Sequence, residues 1–183
     1  MLGNLLKKII SPPPVQVGKR NLERAWRATM NNDMDMARSF NTKAAQAFLE
    51  MLAQDEAKGK RTFPYRRVAA GIALLRNGDP EKAAQLLSRA IADQPVLFPA
   101  YVWAGLAYGQ LGDAEKALRY WNDFPGVQAG QPVLNKILME QKSALESGRT
   151  DLKTACVAVE QALLKQDRTD FREGREFWIL ERL

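Results

Sequence analysis

The chain states one phrase twice. "NGDPEKAAQLL", Asn77 to Leu87, returns as "LGDAEKALRYW", Leu111 to Trp121. Gly78 and Gly112, Asp79 and Asp113, Glu81 and Glu115, Lys82 and Lys116, and Ala83 and Ala117 are all 34 positions apart, and Ala70/Ala104, Gly71/Gly105 and Leu74/Tyr108 keep the offset upstream. A fixed period of this size restricts the fold more than composition does. Each copy is one supersecondary unit that cannot bury its apolar side alone, so the copies must stack.

Each copy reads as helix, turn, helix. Gly78 and Gly112 suit the left-handed residue that closes a helix, and Asp79 and Asp113 suit the N-cap of the next. Pro80 fits a first helical position, where its missing N–H is no loss. Glu81 and Glu115 then lie in a first turn, where negative charge favours the helix dipole. The acidic cluster is therefore a helix start rather than a catalytic carboxylate pair. Gly71 and Gly105 sit mid-helix, where glycine costs about 1 kcal/mol against alanine, so a neighbouring side chain is expected to press on them.

A 34-residue helix–turn–helix period with this spacing resembles the tetratricopeptide repeat family. Gly71, Leu74, Gly78, Ala83, Leu87, Ala90 and Pro95 follow its pattern in one copy, with Arg67 at the tryptophan position. Gly105, Tyr108, Gly112, Ala117 and Trp121 follow it in the next, with Tyr101 in place of the tryptophan. The resemblance implies an all-α, right-handed α-solenoid that binds proteins. The expected organisation is an amphipathic arm and Pro-rich spacer at 1–17, a degenerate first repeat with a lengthened second helix at 18–63, and two repeats at 64–131. A degenerate third helix pair and a capping helix follow at 132–183. "NNDMDMA" (Asn31–Ala37) repeats the turn with Asp33 as its cap. Thr150 is the expected cap of a later helix, Gly148 ends the one before, and "DFREGREFWILERL" is the expected capping helix, with Phe171, Trp178, Ile179 and Leu183 as its apolar side.

Composition narrows the function. The chain has 183 residues, no histidine and one cysteine. Triads, histidine acid–base chemistry and the usual zinc sites are excluded, as is an internal disulfide. No phosphate-binding loop or dinucleotide fingerprint is present. The expectation is a non-enzyme with no cofactor and no metal, cytoplasmic and recruited at most to a membrane-bound complex. No stretch approaches the about 20 apolar residues of a membrane span, and the basic start lacks the apolar core of a signal peptide.

Net charge is +6. Lys58, Lys60, Arg61, Arg66 and Arg67 lie in a run without an acid between Ala57 and Gly78, a candidate patch for phosphates. The first helix of each pair would line the concave face of a solenoid. The residues expected there are Trp26, with Leu22 beside it, then Tyr65, Val68, Ile72, Leu75 and Arg76, then Val102, Leu106 and Gln110. Trp103 and Trp121 are expected in the core. This apolar face suits an extended apolar peptide or an amphipathic helix. It lacks the Lys, Arg and Asn set with which repeats of this family grip a carboxylate. Leu2, Leu5, Leu6, Ile9 and Ile10 form one face of a helical arm, expected to dock on the repeats or to meet a protein. Its lipid affinity is marginal, so membrane contact is peripheral at most. The leading expectation is a bacterial-type scaffold or adaptor for a protein or peptide partner, with self-association open. A secretion or assembly chaperone for apolar cargo is the alternative, and a nucleic-acid adaptor through the basic run is the second.

Overall fold

A computed structural model describes residues 12–125 and 131–183. The arm residues Leu2, Leu5, Leu6, Ile9 and Ile10 lie outside them. Among the described residues the fold is all-α, with eight α-helices and no strand. They are α1 (Pro14–Met30), α2 (Met34–Ala57), α3 (Pro64–Arg76), α4 (Pro80–Asp93), α5 (Phe98–Gln110), α6 (Ala114–Asn122), α7 (Pro132–Glu146) and α8 (Leu152–Arg172), followed by a 3-10 turn at Leu180–Arg182. α1 begins at Pro14, within the segment expected as a spacer, because a proline at the first helical position loses no hydrogen bond.

The repeated turns form for the reasons their residues suggest. Gly78 and Gly112 have φ of +83° and +78°, and Asn32 holds the same left-handed region at +59°. The caps follow at once. Asp33 accepts from the Met36 N–H at 3.0 Å, Asp79 from Lys82 at 3.2 Å and Asp113 from Lys116 at 3.0 Å. The twelve extra residues of the first unit lengthen α2 to 24 residues. One cap differs from expectation: Asp151, rather than Thr150, accepts from the Thr154 N–H at 2.7 Å. A carboxylate one residue further on reaches the free amide more directly than the Thr150 hydroxyl.

Within the first three pairs, a glycine on the first helix admits a large side chain from the second. A Cβ on Gly71 would lie 2.7 Å from Leu87, one on Gly18 would lie 2.7 Å from Phe48, and one on Gly105 would overlap the Trp121 indole, which donates to the Val102 carbonyl at 3.4 Å. The helices pack in chain order, α1 on α2 through α7 on α8, while α1 meets α3 and α3 meets α5. α8 breaks this order by reaching back to α5 and α1. It runs to Arg172, and Gly174 at φ +73° ends it. The expected capping helix is therefore the end of α8 followed by a segment, 175–183, that holds no α-helix and closes in the 3-10 turn, with Phe177, Ile179 and Leu180 buried. Among the described residues no helix is long and apolar enough to cross a membrane.

Candidate functional site

α3 is buried without a break from Arg67 to Leu75, and α5 from Val102 to Ala107. A helix covered on all sides has no open stripe. The expected groove therefore needs correction. Val68, Ile72, Val102, Leu106 and Leu22 have no exposed surface, and Trp26 and Leu75 have almost none. The chain itself reaches this face: α8 packs on α5 and α1, Phe177 lies against Trp26 and Arg76, and Arg182 lies over Tyr65. An open apolar face of this size would stay hydrated, and the chain covers it with its own apolar residues. Trp103 and Trp121 are core, as expected. Of the expected groove residues, Gln110 remains exposed, and Tyr65 and Arg76 are partly covered.

What stays open is a cleft of about 340 Å³ between α2, α3, α5 and α8, with Asn41, Arg76, Trp103, Gln110, Glu160 and Asp167 in its walls. That volume is at the small end of ligand pockets, which span roughly 300–1,000 Å³. Arg76, at the end of α3, organises it. Its guanidinium lies 4.9 Å from the Trp103 ring centroid and 5.3 Å from that of Phe177. Such cation–π contacts gain strength where water is excluded. Its nearest carboxylate is Asp167, at 3.8 Å, with side chains 19% and 13% exposed.

This pair is not a tight salt bridge. Burial pushes the Asp167 carboxyl up to about 6, against the pull of Arg76, and nearby Asp170 pushes the same way. Burial likewise lowers the Arg76 pKa, with Asp167 and Glu160 only partly restoring it. Burial works against both charges, and at Asp167 it outweighs the attraction of Arg76. Arg76 Nη1, Trp26 Nε1 and Asn41 Oδ1 are buried with no hydrogen-bond partner among the described residues. The Trp26 indole N–H faces Asp167 closely enough to lower its pKa slightly, without a hydrogen bond of normal geometry. Across the cleft, the Gln110 amide donates to Glu160 at 3.4 Å.

The chain matches no family model, no curated protein and no solved structure. The site therefore rests on its own geometry.

The basic run also needs correction. Arg67 is buried, and its guanidinium and that of Arg61 both bind the Asp93 carboxylate, which their hydrogen bonds hold below the usual carboxylate range. Asp93 is 26 residues beyond Arg67, so a run without acids in sequence acquires one in space. Lys58 and Lys60 remain exposed, and Arg66 lies over the Phe63 ring at 5.3 Å. Among the described residues, no three His, Cys, Asp or Glu side chains gather where a metal could sit.

Sequence reasoning missed Glu160 and Asp167. A signal was available, since Glu160, Leu163, Leu164 and Asp167 occupy one helical stripe of α8. The stripe turns inward along its length, from the exposed Glu160 to the partly buried Leu163, Leu164 and Asp167.

Proposed function

We propose that this chain is a protein-interaction adaptor of the tetratricopeptide type, a right-handed α-solenoid without catalytic activity, whose α1–α3–α5 face takes a segment of another protein. One observation carries the reading: that face already holds a segment of chain outside the α-helices. Phe177 stacks on Trp26 of α1, with ring centroids 5.9 Å apart, and lies against Arg76 of α3. Arg182 lies over Tyr65 of α3 at 5.7 Å, and Phe177 and Trp178 border Val102 and Trp103 of α5. Aromatic and arginine side chains in well-packed, desolvated pockets are the groups that carry binding energy in protein interfaces. The nucleic-acid reading draws less support, because Asp93 engages two members of the basic run and cancels one of their charges, and Arg67 is buried.

The test is an affinity pull-down that compares the wild-type chain with Arg38→Glu/Gln110→Arg, at the rim of the cleft. Both side chains are exposed, so the variant should keep its helical circular dichroism. A protein recovered by the wild type and by a Glu115→Arg control on α6, yet lost with the rim variant, supports the adaptor reading. Identical recovery by all three baits refutes it.

A further inference from the structure

The segment at 175–183 covers the α1–α3–α5 face through contacts that another segment could also make. Phe177 enters a slot with the Trp26 indole nearly parallel to it, at 13°, and the Arg76 guanidinium also against its ring. Phe171 of α8 closes the edge of that slot, 5.3 Å from Trp26. Ile179 and Leu180 complete the buried side. The main-chain hydrogen bonds of the segment stay local: Arg175 donates to Asp170, Leu180 to Phe177, Arg182 to Ile179 and Leu183 to Leu180. Among the described residues none crosses to α1, α3 or α5. Arg175 is fixed to α8, its side chain donating to Asp170 at 2.7 Å. From Phe177 onward, ring stacking, cation–π contact and apolar burial hold the segment, and among the described residues no hydrogen bond ties that part to α1, α3 or α5.

α8 is fastened differently. Arg168 donates to the Asn32 side chain at 2.7 Å, and Glu160 accepts from Gln110. The junction between the two parts, Arg172 to Glu176, is exposed, with Gly174 in the left-handed region. The part from Phe177 onward is thus separable from α8, with Arg175 as its anchor on Asp170.

We propose that residues 175–183 are an internal occupant of the partner-binding face, and that the partner displacing them is a protein segment with an aromatic side chain followed two and three residues later by aliphatic ones, the spacing of Phe177, Ile179 and Leu180. The proposal rests on the reading of this face as a segment-binding surface. A short tether gives its occupant an effective concentration in the millimolar range. The closed chain therefore resists competing segments, and freeing the face raises their affinity.

The probe is a fluorescein-labelled peptide of residues 174–183, titrated by anisotropy into the full-length wild type and full-length Phe177→Ala/Ile179→Ala. Binding at least tenfold tighter to the variant, and lost when Trp26→Ala is added, is the expected result. Equal affinity for both chains overturns the internal occupant and leaves a segment-binding face standing. No binding to either overturns both. A second measurement needs no variant. In the wild type, amides of residues 177–180 should exchange with deuterium by local opening, well before those of α3 and α5. Exchange of 177–180 only on global unfolding overturns the proposal however the variant behaves.

Discussion

Asp167→Asn should stabilise the protein at neutral pH. The wild-type carboxyl is held in the junction of α8 with α1 and α3, and burial raises it from 3.8 to about 6. Folding thus favours the protonated acid. Its contribution to stability is complete below about pH 4, the unfolded value, and is lost as pH rises through about 6. Two pH units correspond to about 3 kcal/mol. The side chain is 13% exposed, so solvent screens little of this. Local relaxation, and the loss of the Arg76 attraction in the variant, bring the expected gain to about 1–3 kcal/mol, or roughly 3–8 °C in Tm for a chain of this size. The other aspartates with shifted values, Asp79, Asp93, Asp113 and Asp151, are all lowered and act at more acidic pH. Urea melts followed by circular dichroism from pH 4 to 7.5 provide the assay. The variant should equal the wild type near pH 4 and exceed it increasingly up to about pH 7. A variant less stable than the wild type at pH 7.5, by a margin that grows with pH, would show that the Arg76–Asp167 attraction outweighs burial and would refute the reasoning.

Three further outcomes follow from the packing. Gly109→Ala should destabilise by about 1–3 kcal/mol, because its Cβ would overlap the Cys156 thiol, and adding Cys156→Ala should restore most of the loss in thermal melts. Arg67→Ala should cost about 2–4 kcal/mol in urea, since it removes the more buried partner of Asp93, whereas Arg61→Ala, 74% exposed, should cost under about 1 kcal/mol. The Cys156 thiol, which burial raises to about 11, should react with a thiol reagent at pH 8 only as fast as the protein opens, and urea should accelerate labelling many-fold.

The turns were legible because each is a local device: Gly78 then Asp79, Gly112 then Asp113, and Asn32 then Asp33 need only their immediate neighbours to act. Pressure on Gly71 and Gly105 was legible for a related reason, since a mid-helix glycine repeated at a fixed period needs a steric cause. Layering was not. Periodicity marks Val68, Ile72 and Leu106 as apolar, yet it cannot say whether a partner or the same chain covers them, because that depends on where α8 goes. Arg67 and Asp93 illustrate the same limit, being joined only once α3 and α4 have packed. The spacing of Phe171, Trp178 and Ile179 imitates a helix that continues through Gly174, although Gly174 in its left-handed conformation ends α8 there.

The reach of α8 back to α1 alters how the molecule comes apart. A row of stacked units that touch only their neighbours can lose an end unit while the rest stays folded. Here Arg168 bonds to Asn32 across 136 residues of chain, and Phe171 meets Trp26. The row is thereby joined into a circuit: release of the first pair strips α8 of its anchor, and release of α8 uncovers α3 and α5. Fraying of the first pair and of α8 is suppressed, and the helices from α1 to α8 unfold as one cooperative unit, with segment 177–183 free to open on its own. Closing so long a loop also slows folding, because its contacts form only after most of the chain is ordered.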